Sequence, residues 1–270
     1  MRKLRSMLVP LALMALLLAL PAAMPAGAQR FGKAPESSGD GLRGASADHV
    51  VISEVQADSI DGSGGTDDDW IELYNPTGAD IDLADGSYRI EKTVTAVNPD
   101  IVMRIGDGGD GTYPGGTTIP AHGFYLIVCD KANETLKDKA DAIGTRSEFT
   151  WTSHGYTFYL GDGAISGDND SDIVDKVGFG SDASYYEGAG PAPEIPDGGS
   201  IERKAQSTST SESMAPGGSD ASRGNGYDSD NNSQDFVLRD SPEPQNSSSP
   251  TETLSYELFM PLIIRNLTTW

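Results

Sequence analysis

VVISEVQADSIDGSGGTDDDWIELYNPTGADIDLADG, Val50 to Gly86, is the stretch that decides the fold. It holds two strand-like runs, VVISEV and DWIELYN. In the second, Ile71 and Leu73 alternate with Trp70, Glu72 and Tyr74, the period of two that a half-buried strand requires. The run stops at Asn75-Pro76-Thr77-Gly78. Pro76 has no backbone donor and Gly78 tolerates positive φ, so strand pairing must break there.

Working outward, the same texture recurs. Strands are expected at Val50–Ala57, Trp70–Asn75, Ser87–Glu91, Gly123–Asp130, Tyr156–Leu160, Ile173–Phe179 and Ser200–Arg203. Each is short, β-branched or aromatic, and bounded by Gly, Pro, Asn or Asp. Phe124 to Cys129 is continuously apolar and reads as a central strand covered on both faces. The one candidate helix, Ala132 to Ala142, lacks an apolar stripe. Many short strands with Gly-rich turns predict an all-β sandwich of two packed sheets with long acidic, Gly-rich loops. Thr93–Gly116 and Ala183–Gly199 read as surface excursions between strands. The expected core is Ile52, Val55, Ile71, Leu73, Leu126, Val128, Phe158, Leu160, Val174, Val177, Phe179 and Ile201.

The ends differ in character. Arg2, Lys3 and Arg5, an apolar run from Met7 to Leu20, and Ala26-Gly27-Ala28 make residues 1–28 a secretory signal peptide, too short and wrongly flanked to be a spanning helix. Residues 29–48 are small and polar, a flexible lead-in. The sandwich is expected over 49–247. Residues 248–270 follow as a Ser/Pro linker and a short apolar tail, whose Leu258–Ile264 is broken by Pro261 and cannot span a bilayer. The expected location is the cell surface or the medium.

The net charge is −22, and loss of the leader's three positive charges brings it to −25. Such a surface repels phosphate backbones and anionic lipid, which argues against nucleic acid as a partner. Cys129 is the only cysteine, so no intrachain disulfide forms; its apolar neighbours make it a buried small hydrophobe.

The order of several short motifs resembles the bacterial lamin tail domains. The carriers are Ile52–Val55 (ISEV), Trp70–Thr77 (WIELYNPT), Ala79–Leu83, Ile119–Val128 (IPAHGFYLIV), Ile173–Gly180 (IVDKVGFG), Gly199–Arg203 (GSIER) and Asp228–Phe236 (DSDNNSQDF), followed by Pro242, Pro244, Gln245 and Asn246. The likeness spans His49 to Ser247. It implies an immunoglobulin-like, generally non-catalytic module of exported bacterial proteins.

The sharpest chemical candidates are two carboxylate clusters with the alternation that aims oxygens into one loop: Asp168, Asp170 and Asp172; and Asp228, Asp230, Asn232 and Asp235. Calcium is the cofactor this pattern suits. Neither is an EF-hand, because the sixth and twelfth positions are Ile173 and Phe179 in one and Ser233 and Arg239 in the other. The bland alternative is a pair of Asx turns. Asp67-Asp68-Asp69 reads as a charged loop that prevents edge pairing. Tyr113, Trp151, Tyr156, Tyr185 and Tyr186 offer either a stacking surface or plugs for the open ends of the sandwich. His49, His122 and His154 fall in no zinc-site pattern, and no GxSxG or phosphate loop occurs. The sequence therefore reads as a non-catalytic interaction or structural module, with no assigned catalytic residue, presenting acidic and aromatic loops to an extracellular protein or polysaccharide. A calcium-dependent binding module and a secreted hydrolase are the rival readings.

Overall fold

The computed structural model describes residues 46–57, 68–95, 98–196 and 198–253. The signal peptide, most of the lead-in, Asp58, Asp61 and Asp67, and the apolar tail lie outside the described residues. The strands are β1 (Val51–Gln56), β2 (Trp70–Tyr74), β3 (Ile81–Asp82), β4 (Arg89–Thr93), β5 (Asp100–Arg104), β6 (Gly111–Thr112), β7 (Thr118–Ile119), β8 (Phe124–Cys129), β9 (Ala142–Gly144), β10 (Gly155–Gly161), β11 (Ile173–Gly180), β12 (Ser200–Arg203) and β13 (Phe236–Arg239). Three single-turn helices accompany them, α1 (Glu134–Lys137), α2 (Ser211–Met214) and α3 (Asn232–Asp235).

Seven strands form one sheet in the order β13-β12-β1-β2-β8-β9-β6, and four form the other in the order β11-β10-β4-β5; β3 and β7 make a small ribbon. The expected two-sheet sandwich is therefore present. The core between the sheets takes Ile52, Ile71, Leu73, Tyr125 and Ile127 from the larger sheet and Ile90, Val102, Phe158, Leu160, Val177 and Phe179 from the smaller. Each such side chain contributes about 1.5–3 kcal/mol on full burial.

β8 shows why both faces of the larger sheet matter. Tyr125, Ile127 and Cys129 point into the core between the sheets, whereas Leu126 and Val128 pack outside against Trp70, Ala132 and Ala140. The strand is central and covered twice, as expected, but Leu126 and Val128 belong to the outer layer rather than to the main core. A continuously apolar strand carries no phase to assign its faces. Val174, also expected in the core, is only partly buried at its margin.

β1 carries a bulge, with its register to β2 shifting between Ile52 and Glu54. Before it, Val50 and Ile52 enter the core; after it, Val55 and Ala57 do. The extra residue resets the alternation and keeps Ser53 and Glu54 together off the core.

Three expectations need correction. Thr93–Gly116 is more than an excursion: it contains β5, whose Val102 and Met103 are fully buried, and β6. Its abundant glycines masked Ile101-Val102-Met103. Ala183–Gly199 also contributes to the core: Ala192 bridges to Phe179, and Ala192 and Ile195 are buried. The start of the expected Ser/Pro linker is docked together with the residues just before it: Gln245 N–H donates to Glu72 and Ser247 N–H to Asp141, while Glu252 accepts from Gly224 N–H. Within Ala132–Ala142 only one turn is helical, capped by Asn133.

Candidate functional site

Two groups of buried polar residues dominate the larger sheet, one on each face of β12. The first centres on Arg203, which is completely buried. Its Nη2 donates to both oxygens of Asp175 at 2.9 Å, its Nε donates to Ile52 C=O at 2.9 Å, and its Nη1 reaches Asp228 at 3.3 Å and Tyr227 C=O at 3.3 Å. Asp235 lies 4.0 Å away and the Phe236 ring stacks at 4.8 Å. Asp175 also accepts from Ile52 N–H at 2.7 Å, which joins β11 of one sheet to β1 of the other. Burial opposes the charge on Arg203, yet Asp175, Asp228, Glu187 and Asp235 overcome it and hold the guanidinium above its ordinary value. Burial, with help from Asp175 and Asp228, pushes the neighbouring Glu187 up to about 9.

The second sequence-predicted cluster is built into this hub. Asp228 faces Arg203. Asp235 accepts from Ser229 N–H and Asn231 N–H, both at 3.1 Å, closing the loop on itself. Asn232, fully buried, accepts from Gly178 N–H at 2.8 Å and Glu187 N–H at 3.1 Å and donates to Lys176 C=O at 3.0 Å. Asp230 sits at φ 52°, the left-handed conformation that a tight turn demands and that Asp tolerates. The Arg203 guanidinium stands against Asp228, Asp175 and Asp235.

The first cluster lies apart, around β10 and β11. Asp168 pairs with Lys176 at 3.0 Å and accepts from Tyr159 O–H at 3.2 Å. Asp170 accepts from Ser166 N–H at 2.9 Å and Asp172 N–H at 3.0 Å, an Asx-type turn, and its carboxyl is lowered to about 2 chiefly by the Ser166 hydroxyl. Asp172 supplies C=O to Asp162 N–H. Among the described residues, no three His, Cys, Asp or Glu side chains are arranged to hold a metal ion.

The other face of β12 carries the second group. Glu54 stands directly opposite Glu202 on β12 and opposite Glu72 on β2, giving three glutamates abreast on adjacent strands. Glu54 and Glu72 are nearly inaccessible. Ser200 donates to Glu54 and Ser53 to Glu72 at 2.6 Å. Glu202 accepts from Asn225 at 2.8 Å and pairs with Arg239 at 3.1 Å. The segment 243–252 and the loop 214–225 roof this row around a cavity of about 330 Å³, which Glu54, Glu202, Asp220, Arg239 and Glu252 line. Burial is the largest influence on all three. It lifts Glu72 to about 8, and lifts Glu54 and Glu202 above the usual carboxylate range. A row of protonated carboxyls can donate and accept hydrogen bonds, and among the described residues the cavity lining adds the Ser222 hydroxyl but no histidine or cysteine.

The remaining candidates serve the scaffold. Asp68 accepts from Asn133 N–H at 2.7 Å and Asp69 from Trp151 N–H at 2.8 Å. Because β2 is flanked by β1 and β8, these carboxylates anchor loops rather than protect an edge. Trp151 is buried and donates to Gln56 C=O at 2.8 Å, Tyr113 donates to Arg104 C=O at 2.9 Å, and Tyr156 packs on the core, so these three are plugs; Tyr186 stays exposed. His154 pairs with Glu194 at 2.9 Å, His49 contacts Asp48 and Asp228, and His122 holds a turn at φ 55°. The sequence reading missed Arg203 and the glutamate row as polar centres. The available signals were the Arg that ends β12 and the glutamates within β1, β2 and β12.

The family model described as Lamin Tail Domain matches residues 43–181. A solved structure of a DUF4876 family protein from Bacteroides thetaiotaomicron is similar with a TM-score of 0.43 and 13% identity, covering 77% of this chain and 75% of that chain. No curated protein matches the sequence.

Proposed function

The chain belongs to the lamin tail domain family, and from that premise we propose that it is an exported, non-catalytic interaction module whose rigid sandwich presents acidic loops to an extracellular protein or polysaccharide. The observation that carries this reading is the deployment of its buried polar groups. Asp175, Asp228, Asn232 and Arg203 are each turned inward to join loops and strands. Groups so engaged stiffen the scaffold and are withdrawn from substrate chemistry. What remains outside is an excess of carboxylate, part of the net charge of −22, which favours a basic partner surface and electrostatic steering toward it. Exposed Tyr186 adds an aromatic contact of the kind enriched at interfaces.

Two assays on the purified full chain test the reading. Binding to immobilised basic protein and to polysaccharide should be measurable, should weaken as salt rises, and should be indifferent to chelation. A screen on phosphoester, glycoside and peptide substrates should give no turnover. Reproducible turnover that the purified protein retains through successive columns would overturn the non-catalytic assignment. Binding that vanishes on chelation would instead select the calcium-dependent module.

A further inference from the structure

The glutamates abreast on β12, β1 and β2 are covered from outside by one identifiable piece of chain. Gln245 N–H donates to Glu72 at 2.7 Å, and the Gln245 side chain donates to Glu252 at 2.9 Å. Glu252 in turn accepts from Gly224 N–H at 3.0 Å, and Tyr74 O–H donates to Glu252 C=O. Glu252 N–H donates to His122 C=O at 2.7 Å, and Ser247 bonds Asp141 through both its N–H and its hydroxyl. Segment 243–253 is thus a strap across the outer face of the larger sheet, fastened at Glu72, Asp141 and Gly224.

The charges under and around the strap are nearly all of one sign. Glu54 comes from β1, Glu72 from β2, Glu202 from β12, Asp220 from the roofing loop, and Glu243 and Glu252 from the strap itself. On the positive side, Arg239 of β13 pairs with Glu202 and Glu243, and Arg223 stands 3.8 Å from Asp220. Asp141 lies at the far fastening. Tyr74 on β2 is held neutral by burial and by Glu252. The Glu54–Glu72 side of the row, deepest beneath the cover, has hydroxyl and amide partners in Ser200, Ser53 and Gln245.

We propose that this row is a proton-operated latch: with its carboxyls protonated it keeps segment 243–253 closed over the sheet, and as they ionise the strap is released and the acid-lined face opens. The physical drive is linkage. An ionised carboxylate under the strap is desolvated and faces like charges, and lifting the strap admits water and removes Glu252 from the row. The Gln245 N–H bond to Glu72 favours the charged form and opposes release, but burial outweighs it, which leaves Glu72 raised to about 8 from 4.5. The sign follows: a carboxyl raised by folding stabilises the closed form fully below its unfolded value and loses that stabilisation as pH rises through the folded value. The latch therefore closes in acid and loosens between about pH 5 and about pH 8. It does not depend on the identity of the partner or on the non-catalytic assignment.

Hydrogen exchange on the full purified chain, read by mass spectrometry and corrected for the intrinsic pH dependence of exchange, tests it. Between about pH 5 and about pH 9, amides of residues 243–253 should lose about tenfold or more of their protection while those of β10 keep theirs. The isosteric pair Glu54→Gln with Glu72→Gln should reduce the pH response of the strap, leaving the part due to Glu202, Glu252 and Asp141. Glu252→Gln, which removes one of the like charges that raise Glu72, should shrink the response. Equal strap protection at both pH values overturns the latch, as does loss of protection in β10 to the same extent, or a response unchanged in the variants. Should the double variant fail to fold, the comparison of strap with β10 in the unmodified chain still decides the question.

Discussion

Glu202 and Arg203 are neighbours on β12 yet belong to opposite electrostatic designs. On the inner side, Arg203 is surrounded by Asp175, Asp228 and Asp235, so unlike charges meet and fix the loop 227–235 to both sheets. On the outer side, Glu202, Glu54 and Glu72 stand in a row, with Arg239 touching only one end. The first arrangement holds because the buried charges are mutually compensated. The second holds because its members give up charge. One strand therefore carries both a permanent joint and a conditional one.

The largest expected effect breaks the permanent joint. Arg203→Met should cost about 3–5 kcal/mol, because it strands buried carboxylates without their counter-charge; urea or guanidinium unfolding monitored by tryptophan fluorescence measures it. Arg203→Lys should recover little, since an ammonium cannot reproduce the paired contacts to Asp175 together with the bond to Ile52 C=O. Asn232→Ala comes next, at about 1–3 kcal/mol, because Gly178 N–H and Glu187 N–H lose their common acceptor in a buried site.

The conditional joint gives a smaller effect that depends on pH. Glu72 is raised to about 8, so it stabilises fully below about pH 4.5 and loses that contribution as pH rises through about 8; Glu187, beside the permanent joint and raised to about 9, adds a contribution of the same sign. Asp110, lowered to about 2 first by its hydrogen bond from Arg104, acts in the opposite sense only in strong acid. The urea midpoint should therefore be higher at about pH 5 than at about pH 8.5, and Glu72→Gln should flatten the difference. A midpoint that rises steadily toward alkaline pH would contradict the placement of these carboxyls. The smallest effect is that of calcium. With Asp168 already paired to Lys176 and Asp228 to Arg203, millimolar calcium should move Tm by less than about 1 °C. A rise of several degrees that chelation reverses would restore the ion-binding reading of those clusters.

How much of this was legible depends on whether the information is local. The alternation in Trp70–Tyr74 announces β2 because each residue's face follows from its neighbours. The run Phe124–Cys129 announces a doubly covered strand but hides which residues face the partner sheet. Ile101-Val102-Met103 was lost among glycines and acids. The aspartates of Asp228–Asp235 stand out by their spacing, but their contacts depend on Arg203, which is 25 positions away from Asp228 and comes from β12. The glutamate row depends on register and on the bulge at Ser53–Glu54, neither of which spacing alone supplies.

The central claim is that the Asp228–Asp235 signature holds the fold together through Arg203. A double-mutant cycle on Arg203→Met and Asp228→Asn, run once with chelator and once with millimolar calcium, tests it most directly. The account predicts that the two losses overlap, with a coupling of about 0.5–3 kcal/mol that is the same in both buffers. Additive losses, or a coupling that appears only when calcium is present, would contradict it.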